Sequence, residues 1–375
     1  MKKIIIKTGK AFLNLIYAII KMIPTTNQIV FMSMQSDLPS LDFKLLAEEI
    51  NNKKLDIKSI FLCKKMNSNL SKKTDYIRYV FNMIGYMFKA MYYLATSKVC
   101  ITESYCVPIS ILRHKETLKI IQIWHASGAV KKFGYQCLDT KEGKTREIAE
   151  LMGMHRNYDY VIAPSEITKN IFSEAFNIDK EKVVKLGLPR LEYITKSKYD
   201  KSEEIYQRYP ELKDKKIILY VPTFRKGKNV NINEILNYPI DNDKYKVIIK
   251  LHPLEDANVP DEYLVDSTYT SFDLIKIADY IITDYSILSI EASILEKPVF
   301  LYLYDLEEYY RNRGLNIDLR SELKTFTTKT FSDIMSKIEN NDFDIDEVVK
   351  YKEKYIEIDT KNTTGKLCDF ILKLL

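Results

Sequence analysis

His125 is the side chain in this sequence best suited to act as a general base. It follows the apolar run KIIQI and lies in the segment WHASGA, whose small residues let a substrate approach the imidazole closely. An imidazole with an unperturbed pKa of about 6.5 accepts a proton from a hydroxyl group at neutral pH, a role typically worth about 10²–10⁴-fold in rate. We therefore predict that His125 is catalytic and that Trp124, Ser127 and Gly128 contact the substrate.

Three apolar segments in the second half of the chain each end in polar residues. The segment ILYV is followed by PTFR, VIIKL by HP, and YIIT by DYS. If these segments are parallel strands, their carboxyl ends share one edge of a sheet, which is where open α/β proteins bind ligands. We predict that the following residues take part in the site: Thr223, Arg225, His252, Thr283, Asp284 and Ser286.

The chemistry of these side chains suits a diphosphate ligand. Ser286 opens a predicted helix, whose unpaired N–H groups and positive dipole end attract phosphate. Arg225 offers a planar fork that matches phosphate oxygens, and His252 can give a hydrogen bond or a proton to a departing phosphate. Each residue also has an ordinary alternative: Ser286 as a helix cap, Arg225 as a surface cation and His252 as a structural side chain.

Arg190 ends the segment GLPR, where the first half of the chain finishes. We predict that its guanidinium reaches into a cleft and contacts substrate. The alternative is a salt bridge at a hinge between the two halves of the chain.

The remaining polar candidates are assigned surface roles. Asp241-Asn242-Asp243 resembles a metal-binding D-x-D segment, but it precedes an apolar run instead of following one, so we interpret it as a solvated turn and expect no metal. His114 and His155 lie in charged contexts and are predicted to be surface residues.

The elements that would position these residues alternate between apolar, β-rich runs and helical stretches. The first series is QIVFMS, DIKSIFLC, KVCIT, LKIIQIW, DYVIAPS and KVVKLG, with helices predicted near 41–53, 75–96 and 165–176. After a polar stretch the pattern restarts with KIILYVPTF, KVIIKLHP, EYLVD, DYIITDY and KPVFLYLY. Strands separated by helices indicate a doubly wound parallel sheet, so the fold class is α/β with domains at 25–192 and 193–375.

Composition narrows the class of partner. The 375 residues carry 57 Lys and Arg against 51 Asp and Glu, a net charge of +6 that suits a phosphate-rich substrate or an acidic membrane surface. This excess is too small to indicate nucleic acid. The sequence contains no P-loop, no dinucleotide-binding G-x-G-x-x-G after a strand, no zinc-protease H-E-x-x-H and no serine nucleophile elbow, and we expect no cofactor. The five cysteines have no metal-like spacing, so we predict that they are reduced and cytosolic.

Two helices are candidates for membrane contact. Residues 1–24 are basic and then apolar from Ala11 to Ile20, a run too short to span a bilayer. We predict an amphipathic helix that lies in the membrane interface, with an ordinary docking helix as the alternative. The predicted helix at 75–96 is apolar on nearly every side, which fits either a helix packed in the core or one at the headgroup level.

Taken in order and spacing, these segments resemble one known family. They are Trp124-His125, GLPR at 187–190, VPTFR at 221–225, KLHP at 250–253, and TDYS at 283–286 followed by EASILEKPVF. This combination, which covers roughly residues 120 to 300, resembles the CDP-glycerol glycerophosphotransferase family of teichoic acid synthesis. The resemblance implies a GT-B fold, in which two Rossmann-like domains face a cleft and the C-terminal domain holds the nucleotide donor.

The resemblance also implies roles for individual residues. His125 matches an essential histidine that acts as general base, and His252 matches a second essential histidine near the donor phosphates. Thr223, Arg225 and Ser286 fall on positions expected to hold the donor. Family members commonly have a second Ser after this D-Y-S, whereas this chain has Ile287.

The form WHASGA, as opposed to WHGTP, resembles the primases of the family. A primase transfers glycerol phosphate from CDP-glycerol to undecaprenyl-diphosphate-linked ManNAc–GlcNAc and releases CMP, which implies a peripheral protein on the cytoplasmic face of a Gram-positive cell membrane. The alternatives are a poly(glycerol or ribitol phosphate) polymerase of the same family and a GT-B nucleotide-sugar glycosyltransferase. A degenerate scaffold is disfavoured because both histidines are present, and the oligomeric state stays open.

Overall fold

The computed structural model describes residues 2–53, 55–66, 73–141, 143–223, 231–251, 259–260 and 263–375. They form two units. The first comprises Met1–Ala126, Phe133–Arg190 and Asn362–Leu375, and the second comprises Ser127–Lys132 and Leu191–Lys361. The chain therefore contributes a short segment to the second unit, beginning two residues after His125, and it also returns to the first unit at its end. The sequence-based division between residues 192 and 193 anticipated neither the segment Ser127–Lys132 nor the return at Asn362.

The first unit is built on a six-stranded sheet in the order β2-β1-β3-β4-β5-β6, with every pairing parallel. Its strands are β1 (Gln28–Ser33), β2 (Lys58–Cys63), β3 (Val99–Thr102), β4 (Lys119–Gln122), β5 (Tyr160–Ala163) and β6 (Val183–Lys185). Strands β1 and β3 are buried along their whole length, which is why they read as unbroken apolar runs.

Helices connect these strands at nearly the predicted positions. They are α1 (Lys2–Ile20), α2 (Leu41–Asn52), α3 (Lys73–Thr96), α4 (Val107–Ile111), α5 (Arg146–Leu151) and α6 (Glu166–Phe176). Local capping explains two of the starts, because the Ser40 hydroxyl accepts from the Phe43 N–H before α2 and the Ser165 hydroxyl accepts from the Thr168 N–H before α6.

The second unit contains another six-stranded parallel sheet, in the order β12-β11-β10-β7-β8-β9. Its strands are β7 (Lys216–Tyr220), β8 (Tyr245–Ile249), β9 (Leu264–Val265), β10 (Tyr280–Thr283), β11 (Val299–Tyr302) and β12 (Thr327–Thr328). Strand β7 lies between β8 and β10, so the three predicted strands with polar ends are neighbours. The predicted α/β architecture of two doubly wound parallel sheets is confirmed.

Helix α7 (Pro189–Thr195), whose first residues Pro189 and Arg190 belong to the first unit, and the helices that follow it as far as Tyr355 complete the second unit. These further helices are α8 (Ser202–Arg208), α9 (Asn233–Leu236), α10 (Ser271–Ile277), α11 (Leu288–Ser293), α12 (Leu306–Asn312), α13 (Leu319–Glu322), α14 (Phe331–Asn340) and α15 (Ile345–Tyr355). Helix α10 begins with a capping box in which Thr270 and Asp273 satisfy each other's backbone N–H groups.

The final helix, α16 (Thr363–Leu372), belongs to the first unit. Leu367, Cys368 and Ile371 join the apolar core that contains β1, β3 and α2. The Thr363 hydroxyl also donates to the carbonyl oxygen of Leu188 at 2.8 Å, which fixes the start of the helix. The end of the chain therefore completes the core of the first unit.

Helices α1 and α3 contact each other and leave apolar side chains exposed. One side of α3 is buried through Tyr86, Met91 and Leu94, whereas Phe81 on the other side is 69% exposed. Packing in the core thus describes one side of α3, while membrane contact of the exposed side stays a prediction. In the part of the chain that the structure describes, neither these helices nor any other combines the length and apolar character needed to cross a bilayer.

Two predictions about histidines were wrong. His155 is buried, and its Nδ1 lies 3.1 Å from the hydroxyl oxygen of Tyr158. His114 is partly buried, with Nδ1 at 3.0 Å from the Tyr17 hydroxyl and Nε2 at 2.7 Å from the Ile109 carbonyl oxygen. Tertiary packing against aromatic residues, which no local charge pattern reveals, buries His155 and partly covers His114. The solvated turn predicted at 241–243 is confirmed, since these residues are exposed and the Asp241 carboxylate accepts from the Asp243 N–H.

Candidate active site

The backbone at Trp124 turns sharply just after strand β4. Trp124 has a φ of 57°, a left-handed conformation that is uncommon for a bulky residue and costs of order 1–3 kcal/mol. Its N–H donates to the side-chain oxygen of Gln122 at 2.8 Å, and its ring stacks on Phe133 with centroids 4.7 Å apart. These contacts hold the turn, which carries the next residue, His125, beyond the end of the sheet.

The environment of His125 selects one neutral tautomer. Its Nδ1 lies 3.0 Å from the carbonyl oxygen of Glu103, which can only accept, and 3.4 Å from the side-chain nitrogen of Gln35. The shorter contact, to the carbonyl oxygen, places the proton on Nδ1. Burial, together with the positive charge of Arg190, lowers the pKa of His125 to about 4, although the bond to Glu103 opposes the shift. Within the described part of the chain Nε2 makes no hydrogen bond, so its lone pair is available to accept a proton.

Arg190 holds the backbone of His125 in place. Its Nη1 donates to the carbonyl oxygen of His125 at 2.8 Å, and its Nε donates to Asp42 at 2.8 Å. Asp42 also accepts from the backbone N–H of Arg190 at 2.8 Å, and both side chains are buried. Arg190 thus forms a buried salt bridge inside the first unit, whereas the alternative predicted one at a hinge between the two halves of the chain. Sequence reasoning missed Asp42, which reads as an ordinary first-turn acidic residue of α2.

Glu103 is a second buried carboxyl group beside the same histidine. It follows strand β3 and is 2% exposed. Burial raises the pKa of its carboxyl, against hydrogen bonds from the hydroxyls of Ser40 and Ser33, and Asp42 raises it further. Its Oε2 is buried without a hydrogen-bond partner among the described residues. The strand-end rule applied to β3 would have found this residue.

In the second unit, Thr223 and Asp284 meet at the neighbouring ends of β7 and β10. The Thr223 N–H lies 3.1 Å from both carboxylate oxygens of Asp284, and the Thr223 hydroxyl donates to the same carboxylate. Asp284 is buried, and so is Thr283, whose hydroxyl donates to the Val221 carbonyl oxygen at 2.7 Å. The predicted convergence of these strand ends is present, with Asp284 orienting the loop that carries Thr223.

Ser286 lies at the start of α11, as predicted. Its hydroxyl oxygen accepts from the N–H of Leu288, the first residue of α11, at 3.2 Å, although the cap position of the helix is occupied by Ile287. The side chain is half-buried, so a ligand can still reach it.

Lys131 is a cation of this unit that sequence reasoning missed. Its Nζ donates to the Thr223 hydroxyl oxygen at 3.2 Å and lies 5.7 Å from the centroid of the Tyr309 ring. Tyr309 in turn stacks on Tyr285 with centroids 4.0 Å apart. Lys131 is separated from Thr223 by 92 positions and follows no strand, so no pattern in the sequence connects the two.

The residues just before Lys131 are anchored in the same unit. The Ser127 N–H donates to Oε1 of Glu291 at 3.2 Å, and both residues are buried, as is Gly128. Lys131 pairs with Leu315 in an antiparallel bridge. Trp124, His125 and Arg190 therefore lie together in the first unit, whereas Ser127, Gly128, Thr223, Thr283, Asp284 and Ser286 belong to the second. The predicted site residues Arg225 and His252 lie outside the described residues.

Comparison with known proteins identifies relatives along nearly the whole chain. The family model described as CDP-Glycerol:Poly(glycerophosphate) glycerophosphotransferase matches residues 15–373. A teichoic acid ribitol-phosphate primase of Bacillus spizizenii is 28% identical over 364 residues, which cover 93% of this chain and 92% of that protein. A teichoic acid glycerol-phosphate primase of Bacillus subtilis is 31% identical over 300 residues, or 77% of each chain.

The fold also has a counterpart among solved structures. A structure of the wall teichoic acid polymerase TagF aligns with a TM-score of 0.72 over 99% of this chain and 97% of that chain, at 18% identity. At this identity the likeness concerns the fold alone, and it agrees with two Rossmann-like sheets of the GT-B class.

Proposed function

Because the chain belongs to the CDP-glycerol glycerophosphotransferase family, whose relatives are transferases of teichoic acid synthesis, we propose that it is a primase. It transfers glycerol phosphate from CDP-glycerol to undecaprenyl-diphosphate-linked ManNAc–GlcNAc and releases CMP. The family model and the similarity to the glycerol-phosphate primase of Bacillus subtilis support this reaction, and the geometry at His125 supports its chemistry.

The observation that carries the proposal is the fixed tautomer of His125. Its Nδ1–H is held by the Glu103 carbonyl oxygen, and its pKa of about 4 keeps the ring neutral at physiological pH. A general base must present an unprotonated nitrogen to the hydroxyl group that it activates. Nε2 of His125 meets this requirement. The negative phosphates of a bound substrate would raise its pKa and so strengthen it as a base.

In the proposed step the hydroxyl oxygen of the acceptor sugar forms a bond to the β-phosphorus of CDP-glycerol. The bond from this phosphorus to the bridging oxygen breaks, so that CMP leaves with that oxygen. The hydroxyl proton passes to Nε2 of His125. Thr223, Arg225, His252, Ser286 and the amino group of Lys131 are assigned to the donor phosphates, where positive charge and hydrogen bonds offset the charge on the transferring and leaving groups.

A ribitol-phosphate unit is the second candidate. It is favoured by the match to the ribitol-phosphate primase, which covers 92% of that protein's length. The two donors differ only in the polyol, so the catalytic roles assigned above apply to both.

The proposal places the protein on the cytoplasmic face of the membrane, where a lipid-linked acceptor and a soluble nucleotide donor can meet. Its support is the exposed apolar surface of the first unit, where Phe12 of α1 is 61% exposed and Phe81 of α3 is 69% exposed. Apolar faces with aromatic residues suit the interface between headgroups and acyl chains.

The experiment is the release of CMP from CDP-glycerol by the purified chain, with and without a synthetic prenyl-diphosphate ManNAc–GlcNAc acceptor. CDP-ribitol is the parallel donor, and His125→Ala is the control. We expect acceptor-dependent CMP, one polyol phosphate added per acceptor by mass spectrometry, and a loss of about 10²–10⁴-fold in the variant.

Each of the other outcomes of this experiment would change a different part of the proposed function. Products carrying several units would replace the primase with a polymerase. Faster turnover of CDP-ribitol would replace the donor but keep the mechanism. If neither donor yields CMP, the assignment fails, and release of UDP or GDP from nucleotide-sugars would indicate a glycosyltransferase.

A further inference from the structure

A groove of about 690 Å³ runs along one side of α1 in the first unit. The residues that α1 contributes recur at intervals of three, four or seven positions, so they share one side of the helix. The opposite wall comes from the residues after α4 and from the end of α5. The polar lining consists of Lys7, Lys10, Asn14, Lys21, Arg113 and Glu150.

The floor of this groove is a fixed structure. The side-chain amide of Asn14 donates to the carbonyl oxygen of Ile111 at 2.9 Å, and its oxygen accepts from the Arg113 N–H at 2.8 Å. The Lys10 amino group reaches the Leu151 carbonyl oxygen at 3.5 Å. These contacts tie α1 to the segments that carry Arg113 and Glu150, so the lining residues hold defined positions.

Positive charge in the groove is only partly compensated by the protein. The lining has four cations and one carboxylate, Glu150. Among the described residues none of these cations forms an ion pair. The pKa of Lys10 is lowered, first by burial and then by the charges of Arg156 and Arg113. An anion in the groove would relieve this repulsion, and a phosphate group offers several acceptor oxygens to cations placed around it.

An exposed apolar surface borders the groove. Ile4, Phe12, Leu15 and Ile19 of α1 are each more than 60% exposed, and Leu15 also lines the groove. A free phosphate needs no apolar neighbour, whereas a phospholipid presents its phosphate next to its acyl chains. Interfacial helices bury their apolar side to about 5–10 Å and keep their lysines at headgroup level.

We propose that this groove binds the phosphate headgroup of a membrane lipid while the adjoining apolar side of α1 enters the acyl region. The inference rests on the membrane association in the proposed function, but not on the identity of the donor or acceptor. It gives the first unit a specific lipid contact beyond a general attraction to an anionic surface.

The test measures partitioning of the full chain onto sedimenting vesicles. The test variant is Lys10→Gln/Arg113→Gln, and the matched control is Lys44→Gln/Lys58→Gln, which removes equal charge from exposed positions of the first unit outside the groove. The vesicles are phosphatidylcholine alone, phosphatidylcholine with phosphatidylglycerol, and phosphatidylcholine with a prenyl diphosphate. Since each cation near an anionic surface contributes about 1 kcal/mol, the test variant should bind anionic vesicles about 30-fold more weakly, and the control within about threefold of the parent.

A selective loss in the test variant supports the site. A larger loss on prenyl diphosphate vesicles would identify a lipid diphosphate as its ligand, and equal losses would identify bulk anionic phospholipid. Equal behaviour of the two variants would overturn the proposal. It would also be overturned if inorganic pyrophosphate bound in a manner dependent on Lys10 and Arg113 while vesicle binding was unchanged.

A second measurement separates this inference from the proposed function. CMP release onto a soluble, short-chain acceptor should be unchanged in the test variant, because the groove is assigned no part in the reaction. If the parent chain releases no CMP but the vesicle result holds, the proposed function fails and the lipid site stands.

Discussion

Arg190 donates a hydrogen bond from Nη1 to the backbone carbonyl oxygen of His125 at 2.8 Å, while its Nε holds the buried carboxylate of Asp42. Arg190 is only 8% exposed and Asp42 is fully buried. The proposed base is therefore held from two sides, by the Glu103 carbonyl oxygen at the ring and by Arg190 at the backbone. From this arrangement we propose a positioning role for Arg190, and the direct substrate contact predicted from the sequence stays a prediction.

Replacing Arg190 by Lys should lower kcat and leave the KM for the donor nearly unchanged. A lysine cannot bond Asp42 and the His125 carbonyl oxygen in the same fork geometry, and a displacement of about 1 Å at a catalytic group can cost about 10²-fold in rate. Steady-state kinetics on the folded variant measure kcat and the KM for the donor separately.

Asp42→Asn is the companion variant, because it keeps the shape of the side chain and removes its charge. Asp42→Asn should also lower kcat, as Arg190→Lys does. A raised KM with unchanged kcat in Arg190→Lys would instead support the direct substrate contact.

Activity should not fall near pH 6.5, where a catalytic histidine with an ordinary pKa would become protonated. The pKa of His125 is lowered to about 4, mainly by burial, so the free protein keeps a neutral base throughout the range from pH 5 to 7. The profile of kcat/KM for the donor reports the ionisations of the free protein. We expect no fall attributable to His125 until the pH approaches 4. An acid limb near pH 6.5 that disappears in His125→Gln would contradict the assigned environment.

Stability should fall with acid through the window set by His155. Burial lowers the pKa of this residue to about 3 from an unfolded value of 6.5. The unfolded chain therefore binds a proton that the folded chain does not, so this contribution to stability is present above pH 6.5 and is lost as the pH falls toward 3.

The measurement is denaturant unfolding at a series of pH values, comparing the parent with His155→Phe. The phenylalanine should give a shallower decline of the free energy of unfolding with acid, whatever its absolute stability. Parallel curves for the two proteins would show that His155 does not titrate as described.

Removing the amino group of Lys131 should lower the kcat/KM for the donor. Its Nζ contacts the Thr223 hydroxyl oxygen, beside the residues assigned to the donor phosphates. Hydrogen bonds to charged groups contribute about 1.5–3 kcal/mol, so Lys131→Ala should lower kcat/KM for CDP-glycerol about 10- to 100-fold, with partial recovery in Lys131→Arg. The neighbouring Lys132→Ala is the matched control and should have little effect. Equal losses in both variants would remove Lys131 from the donor site.

Truncating Leu367 should destabilise the first unit. This side chain is fully buried in α16, in the core formed with β1, β3 and α2. Leu→Ala changes in such cores cost about 2–5 kcal/mol. Hydrogen exchange should show reduced protection in β1 and β3, with β7 and β10 as the internal reference. Equal loss of protection in all four strands would mean that the two units unfold together.

The sequence by itself determined the class of fold and the family, and it supplied the candidates for the site. Buried parallel strands must be apolar along their whole length, so runs such as QIVFMS and YIIT identify strands directly, and polar residues just past them identify the ligand-binding edge. By this logic His125, Thr223 and Ser286 were found, and the family was recognised from their order and spacing.

Tertiary structure alone decided what each side chain contacts. Asp42 and Arg190 are 148 positions apart, and Lys131 and Thr223 are 92 apart, so no local pattern could reveal either pair. The return of α16 to the first unit, the burial of His155 and the cationic groove beside α1 were hidden for the same reason. Hydrophobic periodicity records which side of an element is buried, whereas hydrogen bonds and ion pairs depend on atoms that only the folded chain brings together.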